Sequence, residues 1–257
     1  CKINEYVVES AIKQFSFINS KIEFDTINND IKGGAISIKI CGTITISNCR
    51  FANMNNIRGI HYFPNSVGTA SDQLEIENCQ FENCIGKCLY FDVQTKSSEN
   101  INVRNTIFEN CIKYPIDTEH ANAIGASNSA DSISLNIENN TFHNCGTNDY
   151  VLYLEIDSNV NTPPKIEIND NTFKFDDPSK SCVGIRIIQT SREVLVHNCT
   201  IIKGKQIGKS PWDNGISANK LTKFNVEECK FIDCGVEGGC NMIVSESEVL
   251  ETNVLNC

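Results

Sequence analysis

Hydrophobic and polar residues alternate in short stretches that recur along the chain. In the clearest stretch, Leu74 and Ile76 alternate with glutamates, and the alternation changes phase at Asn78 before Phe81. A period of two predicts a β-strand with one buried face. Asn at the phase change predicts a tight corner, because Asn tolerates the left-handed backbone conformation. Each repeat therefore predicts a strand, an Asn corner and a short strand carrying Phe.

The same frame recurs every 27 to 34 residues. Its reference positions are Phe17, Phe51, Phe81, Phe108, Phe142, Phe173, Ile201 and Phe231. A third alternating segment, such as Gly34–Ile38, follows each copy. Coils of about 30 residues, stacked so that each strand pairs with its copy about 4.8 Å away, form a parallel β-helix. The sequence predicts an all-β, right-handed parallel β-helix of about eight coils with three short strands per coil, its Phe side chains in one interior stack.

Two other architectures fit the pattern less well. A leucine-rich repeat also joins alternating aliphatic residues to Asn, but its Asn follows the last aliphatic residue by three positions. Asn78 follows Ile76 by two positions. An antiparallel sandwich does not require one motif to return in register.

Composition limits the organisation and the partners. The repeat runs through residues 1–257, which predicts one elongated domain. A formal net charge of −10, without a Lys/Arg cluster, argues against a nucleic-acid partner, and no apolar run is long enough to insert into a membrane. Because the open ends of a β-helix need protection, we expect caps or neighbouring domains at both ends and regard the chain as a segment of a larger protein.

Fourteen cysteines make the chain cysteine-rich, and most occupy repeat positions. One column, two residues before the reference position, contains Cys49, Cys79, Cys199 and Cys229, and Thr106, Asn140 and Asn171 fill the same column in other coils. A second column, three residues after the reference position, contains Cys84, Cys111, Cys145 and Cys234. Neighbouring coils bring stacked Cα atoms within the range that a disulfide allows.

Two interpretations of the cysteines stay open. Cys can fill tight corners as a small, buried apolar residue, or an oxidising location can pair Cys49 with Cys79 and Cys199 with Cys229. A zinc site is disfavoured because no two-residue-spaced Cys pair is matched by a second one. We predict neither a metal site nor a cofactor.

The segments Gly33–Ile36, Phe81–Asn83 and Phe108–Asn110 resemble the repeats of the polymorphic membrane proteins of chlamydiae and their trichomonad relatives. Those families repeat G-G-A-(I/L/V) and F-x-x-N, and the second motif reads F-x-N here. The resemblance implies a β-helix exposed outside the cell or on its surface. It also implies a role in adhesion or host contact. Because the repeat is regular and no coil carries a distinct cluster of acids, bases or metal ligands, we predict a non-catalytic module for adhesion, binding or structural display, with a protein or glycan ligand.

The alternative function is that of a carbohydrate-active enzyme, a polysaccharide lyase or glycoside hydrolase of the pectate-lyase-like fold. Pectinase-type hydrolases carry N-T-D, paired Asp, G-H-G and R-I-K segments. This chain offers the pair Asp176-Asp177 and the segment Gly184–Ile187, without N-T-D or G-H-G. The four His residues fall at different repeat positions, so they form no recognisable ligand set or nucleophile–base pair. We therefore predict no catalytic residues.

A ligand-binding column is predicted on the third strand of successive coils. If Ile60, Leu89 and their equivalents point inward, the residue after each points outward, and these residues stack about 4.8 Å apart. The column consists of His61, Tyr90, Asp117, Tyr153 and Arg186, between Ser37 and Ser217. It suits a sugar or a peptide, although exposed strands also favour aromatic residues without any ligand.

Two N-glycosylation sequons begin at Asn139 and Asn198, at the predicted corner position.

Overall fold

We analysed the protein in a computed structural model. The structure describes residues 6–8, 14–23, 34–39, 42–54, 58–63, 72–91, 99–112, 115–118, 133–145, 149–155, 165–176, 182–188, 193–203, 215–219, 221–234, 242–245 and 249–257. All regular elements in these ranges are β-strands.

The strands follow one another in groups of three. The first nine are β1 (Tyr6–Val8), β2 (Gln14–Ile18), β3 (Lys21–Glu23), β4 (Gly34–Ile38), β5 (Thr43–Ser47), β6 (Arg50–Ala52), β7 (Arg58–Tyr62), β8 (Asp72–Glu77) and β9 (Gln80–Glu82). The next nine are β10 (Leu89–Phe91), β11 (Glu99–Arg104), β12 (Ile107–Glu109), β13 (Ile116–Thr118), β14 (Ile133–Glu138), β15 (Thr141–His143), β16 (Asp149–Glu155), β17 (Ile166–Asn169) and β18 (Thr172–Lys174). The last eight are β19 (Cys182–Ile188), β20 (Glu193–His197), β21 (Thr200–Ile202), β22 (Ile216–Asn219), β23 (Lys223–Glu227), β24 (Lys230–Ile232), β25 (Ile243–Ser245) and β26 (Glu251–Leu255).

Every third strand pairs in parallel, so the chain forms three parallel sheets. Sheet A runs from β1 through β4 and β7 to β25 and has nine strands, and sheet B runs from β2 to β26 and also has nine. Sheet C runs from β3 to β24 and has eight strands, so eight coils contribute a strand to each sheet. The predicted class, an all-β parallel β-solenoid, is confirmed.

A first corner joins each strand of sheet B to the following strand of sheet C. Its residue has a left-handed backbone, with φ between 48° and 57°. These residues are Asn19, Asn48, Asn78, Asn105, Asn139, Asp170, Asn198 and Glu228. The backbone N–H of Asn78 donates to the carbonyl of Arg104 in the next coil, 3.1 Å away, so the corner also extends the ladder between coils. The corner predicted from the change of phase is confirmed.

A second left-handed corner ends the strands of sheet C, and the sequence analysis did not predict it. Its residues are Asn53, Asn83, Asn110, Asn144, Lys203 and Asp233, with φ between 51° and 57°. The signal was present in the Phe-x-Asn motif, because Asn follows Phe by two positions in four of these coils. Most described coils therefore have two left-handed corners rather than one, although neither Phe175 nor Asp176, after β18, has a positive φ.

The interior contains a stack of Phe rings. Phe51, Phe81, Phe108, Phe142 and Phe173 are fully buried or nearly so, with successive centroids 4.7, 5.1, 4.8 and 4.9 Å apart and interplanar angles of 6° or 7°. Offset stacking of this kind adds to the free energy gained from burying the rings. The predicted stack therefore runs through five successive coils.

The stack ends differently at its two ends. In the register of sheet C, Ile201 separates Phe173 from Phe231, which is only half-buried. The first reference residue, Phe17, was wrong: Ile22 pairs with Phe51, whereas Phe17 belongs to sheet B. The frame slipped because the segment Phe17–Asn19 imitates Phe-x-Asn, although its Asn forms a first corner.

A buried polar column follows the first corner. Asn171 Nδ2 donates to the carbonyl oxygen of Ile137 in the preceding coil at 2.8 Å, and Cys79 Sγ contacts the equivalent carbonyl of Ile46 at 3.6 Å. Asn140 Nδ2 reaches the carbonyl of Val103 in the same way, at 2.9 Å. Cys and Asn thus occupy the same column because each donates a hydrogen bond to the same inward carbonyl. A buried polar atom without such a partner would be costly.

The Phe stack can be tested with two variants of one strand. Phe108→Ala leaves a cavity between two neighbouring rings, so we expect a loss of roughly 3 to 5 kcal/mol in the free energy of unfolding, measured by urea denaturation. Ile107→Ala changes the adjacent side chain on the opposite face, which is 46% exposed, and should cost less than about 0.5 kcal/mol. Equal losses in the two variants would contradict the assigned faces of β12.

Candidate functional site

The five residues of the predicted ligand column lie side by side in sheet A. His61 pairs with Tyr90, Tyr90 with Asp117, and Tyr153 with both Asp117 and Arg186. The column continues to Ser37 at one end and to Ser217 at the other. The side chain of Asp117 lies outside the described part of the structure. The register of the column agrees with the sequence analysis, and its ability to bind a ligand stays a prediction.

Exposure of the column differs from the expectation. The side chains of His61 and Tyr90 are only 8% and 6% exposed, and both flanking serines are buried. The reason at Tyr90 is that two cations lie over its ring: Arg58 Cζ is 4.3 Å and Lys87 Nζ 4.2 Å from the centroid. An open aromatic platform at Tyr90, as the sequence analysis expected, is therefore wrong. Charge covers the ring instead.

These residues belong to a compact group that we call the basic–aromatic cluster. It consists of Lys39, Arg58, His61, Phe63, Lys87 and Tyr90. The imidazole of His61 stacks on Phe63 at 4.1 Å and lies 5.0 Å from the Tyr90 ring. Lys39 Nζ lies 5.3 Å from the centroid of Phe63. Three positive side chains thus surround aromatic rings in a protein whose net charge is −10.

His61 is held neutral by this environment. Burial, together with the positive charges of Arg58, Lys87 and Lys39, lowers the pKa of His61 to about 3. Arg58 Nη1 lies 3.4 Å from His61 Nδ1 and donates to it, which leaves the proton of the neutral ring on Nε2. His61 Nε2 is buried and has no hydrogen-bond partner among the described residues. Within the described part of the chain, the cluster therefore contains a buried N–H donor without an acceptor.

The other half of the column is more open. Tyr153 and Arg186 are half-buried, and Arg186 Nη1 donates to Ser217 Oγ at 3.4 Å. The predicted column thus divides into a shielded cationic part at His61 and Tyr90 and a more accessible part at Tyr153 and Arg186.

Polar grooves follow the first corner between sheets B and C. The larger has a volume of about 640 Å³ and contains both sequon asparagines, Asn139 and Asn198. Asn139 Nδ2 donates to Asn105 Oδ1 at 2.7 Å, and Asn198 Nδ2 donates to Asp170 Oδ1 at 2.6 Å. Side-chain hydrogen bonds thus link neighbouring coils at these two steps of the first corner. Both sequon side chains are exposed, and their glycosylation stays a prediction.

The acidic residue considered for the enzymatic alternative has a local partner. Asp176 Oδ2 lies 2.5 Å from His143 Nε2, and Lys174 Nζ lies 3.3 Å from Asp176 Oδ1. The hydrogen bonds from His143 and then Lys174 lower the pKa of the exposed Asp176 carboxyl. A carboxylate held ionised in this way is a poor general acid. Asp177 lies outside the described residues.

The ten cysteines that the structure describes as free thiols include both predicted disulfide pairs. The hydrogen bond from Cys79 lowers the pKa of Cys49 to about 7, whereas the same contact and burial raise the pKa of Cys79. Cys199 and Cys229 show the same asymmetry, with the pKa of Cys229 lowered by its contact with Cys199. The two pairs are adjacent thiols here, and their oxidation stays a prediction.

Together these features define a parallel β-solenoid repeat protein with a cationic, aromatic cluster on one sheet. No helix in the described ranges is long and apolar enough to cross a membrane.

Comparisons with known proteins assign no family. No protein-family model matches the chain, and no curated protein matches it. Among solved structures, that of QnrB1 (full length), a plasmid-mediated fluoroquinolone resistance protein, is similar over 95% of this chain and 94% of that chain, at 9% identity and a TM-score of 0.25. The resemblance to polymorphic membrane proteins has no support from these comparisons.

The depressed pKa of His61 predicts an acid-sensitive contribution to stability. The ordinary pKa of 6.5 applies to the unfolded chain, whereas the folded pKa is about 3. As the pH falls below 6.5, the unfolded state takes up this proton first, so the free energy of unfolding decreases until the pH passes about 3. The non-titrating variant His61→Gln should lose this part of the pH dependence in urea denaturation from pH 7 to 3. Titration of the His61 ring near pH 6.5 by NMR would contradict the assignment.

Proposed function

We propose that this chain is a non-catalytic surface module that binds an acidic ligand through the basic–aromatic cluster of sheet A. The observation that carries the proposal is the unpartnered, buried N–H of His61 Nε2 beside Arg58. An unsatisfied buried donor costs about 1 to 3 kcal/mol, a cost that an incoming acceptor removes.

The charge around this donor favours an anionic acceptor. Arg58 and Lys87 lie over the Tyr90 ring next to His61, and Lys39 lies over Phe63. If the side chains that cover Nε2 move aside, a carboxylate or sulfate oxygen there would accept its hydrogen bond within the field of these three cations. Charge-assisted hydrogen bonds are strongest where little water is present, and His61 is 8% exposed. A neutral acceptor would also accept the hydrogen bond from His61, but it would gain no charge–charge attraction from the three cations.

An acidic glycan is the ligand class that we favour. Tyr153 lies two strands from Tyr90 in the same column and is half-buried, so its exposed surface can contact a sugar. Arg186, the next residue of the column, adds a further positive charge. A short acidic oligosaccharide along sheet A would thus meet cations at both ends of the column, with Asp117 and Tyr153 between them. We also propose that the chain is located outside the cell or on its surface, where such glycans occur.

The non-catalytic part of the proposal is supported by the regularity of the coils. Outward positions carry ion pairs such as Arg104 with Glu75, at 2.9 Å, and Arg50 with Glu82, at 2.5 Å. The His143–Asp176 contact is a further pair of this kind, between β15 and the residues after β18, and its carboxylate stays ionised.

The binding site can be tested by removing two of its charges. Arg58→Gln combined with Lys87→Gln should reduce affinity for an acidic oligosaccharide by roughly tenfold or more, since a hydrogen bond to a charged group contributes about 1.5 to 3 kcal/mol. Arg104→Gln combined with Lys165→Gln removes the same charge at sheet B and should leave affinity unchanged. Binding to uronic-acid-containing, sulfated and neutral glycans is measured on an array and by calorimetry.

Several results would overturn the proposal. Equal losses in the two double variants would show that only net charge matters. Binding to acidic peptides but to no glycan would replace the ligand class. New reducing ends or unsaturated products during incubation with polysaccharides would show catalysis. Tyr90→Ala is unsuitable as a probe, because Tyr90 is buried and its truncation would alter stability.

A further inference from the structure

Three buried cysteines from two neighbouring coils converge in the interior. The Sγ atoms of Cys84, Cys88 and Cys111 all lie within 4.8 Å of one another. Their side chains are 1%, 0% and 0% exposed. The sequence analysis did not group them, because Cys88 is outside the repeated column that contains the other two. A spacing of four residues between Cys84 and Cys88 was the available signal.

The backbone explains why these thiols meet. Cys84 and Cys111 each follow a second corner, and the backbone N–H of Ile112 donates to the carbonyl of Cys84, which fixes their coils in register. Cys88 precedes β10, the strand that returns along sheet A. The turn before β10 thus brings the sulfur of Cys88 close to those of Cys84 and Cys111. Regular stacking alone would give a linear row of thiols rather than a triangle.

Further sulfur atoms lie above and below this triangle. Met54 occupies the position of Cys84 in the preceding coil, since its carbonyl accepts from Ile85 N–H as that of Cys84 accepts from Ile112 N–H. Cys145 occupies the position of Cys111 in the following coil, and its Sγ contacts the carbonyl of Phe108 at 3.3 Å. The surroundings of the triangle therefore offer soft sulfur donors on both sides.

We propose that Cys84, Cys88 and Cys111 form a binding site for a divalent thiophilic metal ion of the Zn²⁺ and Cd²⁺ class. Metal–sulfur bonds of about 2.3 Å place the sulfurs of a three-thiolate site roughly 4 Å apart, so the thiols need to move by less than about 1 Å. Thiolate ligands select soft ions. A divalent ion leaves a complex of charge −1, whereas a monovalent ion would leave −2 in an apolar core, at a greater cost.

Binding exchanges protons for metal. Each thiol loses one proton, so one M²⁺ and three thiols give one M(S-Cys)₃ complex of charge −1 and three H⁺. Burial raises the pKa of Cys88, and burial with the contact to Cys145 raises that of Cys111. The contact with Cys111 raises the pKa of Cys84. Affinity should therefore increase with pH.

Loss of the thiol protons leaves the nearby carbonyls satisfied. Cys84 Sγ donates to the carbonyl of Glu82 at 3.4 Å, and Cys111 Sγ donates to that of Glu109 at 3.5 Å. The same two carbonyls accept backbone N–H donors from Asn53 and Asn83, at 3.0 and 2.9 Å. Metal binding thus removes only the weaker of two hydrogen bonds at each oxygen.

The test uses Cd²⁺ as the probe, added to the folded, fully reduced protein in a phosphine reductant. We expect one tightly bound ion per chain, a thiolate-to-metal charge-transfer absorption, and release of three protons per ion. Cys88→Ala should weaken binding by about 100-fold or more, because loss of even an outer-shell partner of a ligand commonly costs 10- to 100-fold. Cys199→Ala removes a buried cysteine from a different column and should leave binding of this ion unchanged.

The readouts separate the proposed site from other thiols. Absence of Cd²⁺ uptake by the wild type after prolonged equilibration, unchanged uptake in Cys88→Ala, or release of two or fewer protons would each overturn the site. If Cys88→Ala fails to fold, Cys84→Ala provides the same test, with folding verified by circular dichroism. Displacement of Cd²⁺ by Zn²⁺ should abolish the absorption without unfolding the protein. The inference is independent of the glycan proposal, because the triangle lies in the core.

Discussion

The left-handed corner is the constraint on which this solenoid depends. Fifteen described non-glycine residues have a positive φ, and eleven of them are Asn. A left-handed residue costs most side chains about 1 kcal/mol or more, and Asn is the non-glycine residue that tolerates it best. Two such corners in most coils help to set the angles between the three sheets. They also fix where each strand begins, so that identical residues of successive coils lie over one another.

The corners explain the unusual cysteine content. The residue after most corners is buried, and a Cys, Thr or Asn there contacts a carbonyl oxygen of its own coil, of the preceding coil, or of both. Cys, Thr and Asn are small enough to fit, and all three can donate a hydrogen bond. The side chains of Asn140 and Asn171 also accept hydrogen bonds from the backbone of the preceding coil. The backbone N–H of Asn140, for example, donates to Asn171 Oδ1 at 3.0 Å. Cysteine thus contributes both apolar volume and a weak donor, which makes disulfide formation unnecessary for its presence.

Periodicity predicted the fold because side-chain alternation and the Asn corner are local properties of the sequence. The register of sheet A, including His61 with Tyr90, followed from the same alternation. The low exposure of Tyr90 was not predicted, because the side chains of Arg58 and Lys87 cover its ring. These two residues lie at the beginning of a strand or just before one, where the alternation of residues does not predict side-chain direction. The thiol triangle was missed for a related reason. Cys88 lies in the turn before β10, outside the repeated columns, so the repeat pattern does not predict its position.

The Phe stack has a consequence for how such a chain can evolve. The ring of Phe108 meets nearly identical neighbours on both sides, 5.1 Å from Phe81 and 4.8 Å from Phe142. Since each coil contacts mainly the coils beside it, the packing inside one coil does not depend on the total number of coils. Duplication or deletion of a whole coil would rejoin compatible surfaces inside while changing the order of side chains outside. The number of coils and the chemistry of the surface can therefore vary in evolution while the repeated pattern of core and corner residues stays the same.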